Sequence, residues 1–161
     1  AISAEISEVL DELGGEFSHG YTYSGHPVAA AVALENLRIL KEEKIIENVE
    51  TCSSIYIKKK WGELAEHPMV GEARIQGMMG AIELSPSKDT KAPFATPPGT
   101  AGLKTREICF ENGLIMRHVC DRMIISPPLI INEDEIDELI SLAWKCLDLS
   151  MKELKQNGLW K

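Results

Sequence analysis

The sequence predicts an α+β (α/β) unit, a small and largely antiparallel sheet packed against helices. Three observations lead there. Residues 70–75 and 78–84 alternate apolar with polar or small side chains on either side of Gly77, the period of half-buried strands. Ile136, Leu139, Ile140, Ala143, Leu147, Met151 and Leu154 recur at three- and four-residue steps, which is one face of a helix. The predicted order is α–loop–α–α–β–β–α–β–β–α, with no internal repeat and no low-complexity tract.

Each element has a local reason. Ile2, Ile6, Val9, Leu10 and Leu13 fall near helical spacing, and Gly14-Gly15 stops the pattern. Residues 16–25 mix aromatic, hydroxyl and glycine residues without a helical period, so a loop is expected. From His26 a helix should run to about Lys44, with Pro27 in its first turn and Val28, Ala31, Val32, Leu34, Leu37 and Leu40 on its apolar side. A second helix over 45–66 carries Ile45, Ile46, Val49, Ile55, Ile57, Trp61 and Leu64, with Lys58-Lys59-Lys60 on a solvated face. His67-Pro68 ends it, because the residue before proline avoids the α region.

Gly77 and Gly80 predict a turn or bulge within the first strand pair. The proline-rich residues 85–98 read as an irregular loop, and 100–111 as a helix closed by Asn112-Gly113. Residues 114–116 and 123–125 are short apolar strands around a turn at Cys120-Asp121, and Pro127-Pro128 ends the second. Asn132 followed by Glu135 is a variant capping box at the start of the last helix, where Glu133 and Asp134 complement the N-terminus.

Composition narrows the function classes. The 161 residues are 44% hydrophobic and 26% charged, which suits a cored domain rather than a disordered chain. Their formal charge is −8, against the basic patch expected of a phosphate-backbone binder. The longest apolar run, 27–34, is far short of the roughly 20 residues that span a bilayer. No membrane or nucleic-acid role is expected. Cys52, Cys109, Cys120 and Cys146 are widely spaced and read as reduced thiols in a cytoplasmic protein. Cys109, His118 and Cys120 could be assembled into a zinc reading, but the spacing matches no common ligand pattern, so ordinary packed positions are expected and no metal.

Two segments carry chemistry, and a third lies between them. The first is Phe17-Ser18-His19-Gly20-Tyr21-Thr22-Tyr23-Ser24-Gly25-His26-Pro27, leading into the alanine-rich helix with Leu34-Glu35-Asn36. The second is Asn112-Gly113-Leu114-Ile115-Met116-Arg117, continuing through Asp121 and Met123 to Ser126-Pro127-Pro128-Leu129. Between them lies Val70-Gly71-Glu72-Ala73-Arg74-Ile75-Gln76-Gly77-Met78-Met79-Gly80, ending near Glu83-Leu84. In this order they resemble the C-terminal part of class III aminotransferases, the fold type I pyridoxal-phosphate enzymes that include ω-amino acid:pyruvate transaminases. The resemblance covers nearly the whole chain.

The resemblance implies that residues 1–44 are the C-terminal edge of the large cofactor-binding domain and 45–161 the small C-terminal domain. It implies that Tyr21 and Thr22 contact the phosphate of pyridoxal 5'-phosphate in the neighbouring subunit's site, across the interface of a homodimer or a dimer of dimers. That role is chemically apt, since a phosphate dianion suits backbone N–H groups near a helix start and a hydroxyl donor. Arg117 matches the arginine that grips the substrate carboxylate, and its planar fork suits that task. Its alternative is a structural ion pair with Asp121 or Glu83. His19 and His26 are expected to order the loop.

No lysine lies in the context of the cofactor-bearing lysine, which by the family layout would fall just upstream of Ala1. The chain, opening without methionine on a helical pattern, is therefore expected to be a C-terminal fragment, inactive alone. Its parent is expected to move an amino group from an ω-amine or ω-amino acid to a keto acid such as pyruvate. Alternatives are a 4-aminobutyrate-type transaminase using 2-oxoglutarate, or a separate non-catalytic α+β binding module.

Overall fold

The computed structural model describes residues 2–14 and 20–160, and falls into two compact units, Ala1–Ile39 and Leu40–Lys161. Phe17, Ser18 and His19 of the first motif lie outside the described residues. In the first unit, helix α1 (Ala4–Leu13) starts where the Ser3 hydroxyl accepts the Ile6 N–H at 3.3 Å. Helix α2 (Pro27–Glu42) opens on the expected proline. Neither helix has a buried residue: Ile6, Val9, Val28, Val32 and Leu37 are all exposed.

The second unit begins with a helical run of changing pitch. Helix α3 (Ile45–Asn48) passes into a π-helical turn (Val49–Ser53), then α4 (Ser54–Glu63) and a 3₁₀ turn (Leu64–Glu66). The single helix expected over 45–66 is thus interrupted. In an unbroken α-helix Ile45 would lie about 120° away from Ile57, at about 100° per residue. Both are buried, and the wider π turn absorbs most of that mismatch. The solvated face expected of the three lysines holds only in part. Lys60 is drawn onto Asp137 at 2.9 Å and over the Tyr56 ring, whose hydroxyl donates to the same carboxylate at 3.0 Å.

Strands β1 (Val70–Gln76), β2 (Met79–Leu84), β3 (Arg117–Val119) and β4 (Arg122–Ile125) form one antiparallel sheet in the order β1-β2-β4-β3. The α+β reading of the sequence therefore holds. Gly77 takes φ 55° in the β1–β2 turn, as a tight hairpin requires. The irregularity sits at Gly71, between Val70 and Glu72, rather than at Gly80. Gly80 is small for another reason: a Cβ there would lie 2.9 Å from the Trp61 ring and 3.1 Å from Ile125. Trp61 is fully buried and donates its indole N–H to the Ala81 carbonyl at 3.3 Å.

Helix α5 (Thr100–Glu111) ends through Gly113 at φ 81°, and the Leu114 N–H turns back to the Cys109 carbonyl at 2.9 Å. That wrap explains why β3 starts at Arg117 and not at Leu114. Leu114 and Met116 are buried, yet they finish the helix end and reach the sheet without pairing in it. Helix α6 (Glu133–Gln156) has the expected capping box, with Asn132 accepting the Glu135 N–H and Glu135 accepting the Asn132 N–H, both at 2.9 Å. Its buried face, Ile136, Ile140, Ala143, Leu147 and Leu154, closes the core over Ile57, Trp61, Ile82, Leu84 and Met123.

Candidate functional site

The Tyr21–Gly25 turn is built by reciprocal local bonds. The Tyr21 N–H donates to Ser24 Oγ at 2.9 Å, and the Ser24 N–H returns to the Tyr21 carbonyl at 2.9 Å. Gly25 takes φ 74°, a left-handed conformation natural to glycine, and the His26 N–H then reaches the Tyr23 carbonyl at 3.1 Å. His26 Nδ1 accepts the Ala29 N–H at 3.3 Å, so this side chain caps α2 while its ring meets Tyr23 edge-on. The loop-ordering role expected of His26 is what the structure shows.

The same cap changes where an anion could sit. The first turn of α2 has one N–H taken by His26, and Pro27 has none. Further donors lie in the preceding turn. Thr22 is exposed, and neither its hydroxyl nor its N–H bonds a partner among the described residues. Tyr21 is exposed beside it. A hydroxyl and an N–H on one residue form a donor pair that fits a phosphate.

In the second unit the β3–β4 hairpin carries the other candidate. Arg117 opens β3 opposite Ile124 and is exposed. The two acids that could hold it are both engaged elsewhere. Glu83 pairs with Arg122 at 3.0 Å. Asp121 turns toward α5, where Oδ2 accepts the Gly99 N–H at 3.1 Å and Oδ1 the Gly102 N–H at 2.9 Å. Among the described residues Arg117 has no ion pair. A guanidinium with its neighbouring carboxylates occupied is a fixed positive charge open to a carboxylate from outside.

Sequence reasoning treated Asp121 only as a turn residue or a partner for Arg117 and missed its clasp on α5. The available signal was the pair Gly99 and Gly102. A Cβ on Gly102 would stand 2.0 Å from the Cys120 carbonyl oxygen, so the hairpin turn needs glycine there to lie against the helix start. Cys109 faces Cys146 across α5 and α6, and burial pushes its thiol up to about 12. No three His, Cys, Asp or Glu side chains converge on a metal-holding cluster among the described residues.

Comparison with known proteins identifies the family to which this α+β unit belongs. The family model described as "Aminotransferase class-III" matches residues 2–147. The putrescine--pyruvate aminotransferase of Pseudomonas aeruginosa is 63% identical over 144 residues, which are 89% of this chain and 31% of that protein. The mitochondrial gamma aminobutyrate transaminase 1 of Solanum lycopersicum is 35% identical over 158 residues, 96% of this chain and 30% of that one. The solved (S)-enantioselective omega-transaminase from Thermomicrobium roseum superposes with a TM-score of 0.80 at 38% identity, over 92% of this chain and 33% of its own. The omega transaminase from Pseudomonas jessenii in complex with PMP gives 0.79 at 35% identity, over 93% and 32%. The chain belongs to the class III aminotransferase family, and it spans about a third of the length of these relatives.

Proposed function

We propose that this chain is the C-terminal part of a pyridoxal-phosphate-dependent aminotransferase that moves an amino group from an ω-amine or ω-amino acid to a keto acid such as pyruvate. The observation that carries the reading is Arg117: a guanidinium on a family-matching hairpin whose neighbouring acids are bound to other groups. The 63% identity to a putrescine--pyruvate aminotransferase supports an amine donor and pyruvate over the 4-aminobutyrate type, whose relatives stand at about 35–38%. A separate binding module is disfavoured by the exposed apolar residues of α1 and α2, which need covering by further polypeptide.

In this reading residues 1–44 edge the large domain, and 45–161 form the small one. The whole protein is a cytoplasmic homodimer, a location supported by four free cysteines. Tyr21 and Thr22 hold the cofactor phosphate in the neighbouring subunit's site. When bound, pyridoxal phosphate supplies the electron sink that amino transfer requires. Thr22 contributes a hydroxyl and an N–H as donors, Tyr21 a phenol, and His26 keeps the turn in shape by capping α2. Arg117 binds the carboxylate of the keto acid and orients its carbonyl. An amine without a carboxylate offers the guanidinium no partner, so the exposed side chain turns to solvent.

The test is Arg117→Ala in the full-length protein, with each half reaction followed in single turnover. Loss of hydrogen bonds to a charged group costs about 1.5–3 kcal/mol, roughly ten- to a hundredfold. The fall is expected with pyruvate and not with a simple diamine. Equal slowing of both, in a folded protein, removes the substrate role of Arg117.

A further inference from the structure

We infer that Asp121 is a positioning residue for substrate carboxylate binding, acting by clamping the Arg117 hairpin onto the start of α5. The inference rests on the role of Arg117 proposed above and extends it to a residue that touches no substrate. Three features meet at Asp121. Its carboxylate accepts two N–H groups from the first turn of α5, Gly99 at 3.1 Å and Gly102 at 2.9 Å, using both oxygens. Its carbonyl accepts the Leu84 N–H at 2.9 Å, at the end of β2. Its neighbour Cys120, at φ 50°, lies so close to Gly102 that no side chain fits between them.

One residue thus ties a helix start, a central strand and the hairpin turn together. An acid facing the N–H groups at a helix N-terminus is held by charge as well as by hydrogen bonding. The hairpin itself is short. Strand β3 has three residues, sits at the sheet edge and pairs only with β4, so its direction is set by the buried Met116 before it and by this clasp beyond its other end. Arg117 begins that edge strand between these two anchors, and a shift of the hairpin at its turn is passed along β3 to the guanidinium. A guanidinium that must meet a planar carboxylate with two aligned bonds is sensitive to such a shift. The clasp also keeps Asp121 away from Arg117. Were it released, the freed carboxylate would be a competing partner for the same guanidinium.

The experiment compares Asp121→Ala, Asp121→Asn and Arg117→Ala in the full-length protein loaded with cofactor. The readouts are KM and kcat for pyruvate, KM and kcat for a diamine donor, and hydrogen exchange at the Gly99 and Gly102 amides. Asp121→Ala should speed exchange at both amides and raise KM for pyruvate about tenfold, leaving the diamine KM within about twofold. Asp121→Asn keeps one acceptor oxygen and should recover most of the pyruvate KM, which a nonspecific loss of stability would not do. Should Asp121→Ala fail to fold, Asp121→Asn alone decides: faster exchange at one amide with a smaller, pyruvate-selective rise in KM is required. Faster exchange with both substrates affected equally, or with neither affected, overturns the positioning role while a selective Arg117→Ala keeps the proposed function. If Arg117→Ala is itself unselective, both fall together.

Discussion

Acid should loosen the joint between α4 and β1, because His67 is buried there in a setting that favours its neutral form. The ring is fully buried; Nδ1 accepts the Met69 N–H at 3.1 Å, and Nε2 lies 3.3 Å from Asp148 Oδ1. The neutral tautomer with hydrogen on Nε2 satisfies both contacts. A second proton would go to Nδ1 and point at the Met69 N–H, donor against donor. Burial therefore holds the histidine below its ordinary 6.5, with Lys88 adding to the effect and Asp148 opposing it. Since the unfolded chain binds this proton more readily than the folded one, stability is complete above about pH 6.5 and declines as pH falls below it. The slope contributed by one such group is at most about 1.4 kcal/mol per pH unit, and it flattens below the folded-state value. Urea unfolding of the wild type and His67→Asn between pH 8 and pH 5 measures it, since asparagine keeps an acceptor near the Met69 N–H and cannot titrate. The variant should be weaker by about 1–3 kcal/mol at pH 8, through the lost ring contact with Trp144, and the gap should shrink toward pH 5. A gap that stays constant or widens on acidification would refute the assignment of Nδ1 as an obligatory acceptor.

Two other substitutions test the remaining features. Thr22→Ala in the full-length protein should weaken cofactor retention roughly ten- to a hundredfold, the loss of one hydroxyl bond to a charged phosphate; equilibrium dialysis reads it, and unchanged retention counts against the phosphate role. Gly80→Ala places a methyl 2.9 Å from the Trp61 ring, and overpacking at that wall should cost about 1–3 kcal/mol in denaturant unfolding with near-UV circular dichroism reporting a displaced indole.

The parts of the fold readable in the sequence are those decided within one turn. The capping box at Asn132 and Glu135, the proline start of α2 and the Gly77 hairpin depend on residues three or four apart, so their signals are local. What escaped depends on distant partners. The π turn lets Ile45 and Ile57 both be buried, which no window along 45–66 reveals. The start of β3 is fixed by Cys109 catching the Leu114 N–H. At the candidate site the sequence supplied Tyr21, Thr22 and Arg117 through resemblance, but left Arg117 between a substrate and an internal acid. In the structure both acids have other partners, Glu83 bonding Arg122, 39 positions away, and Asp121 reaching backwards to Gly99 and Gly102.

The placement of α6 has a consequence for how the molecule is made. Synthesis runs from the N-terminus, and α6 follows every other element of its unit. Until Leu154 has been added, the core of α4, α5 and the sheet lacks the side that Ile136, Ile140, Ala143 and Leu147 close. A growing chain therefore carries Ile82, Met123 and Trp61 without the cover of α6 from the completion of β4 until α6 itself is made. The strongly capped start at Asn132 lets the last helix form as soon as it emerges, and docking of that single rod completes the core in one late step.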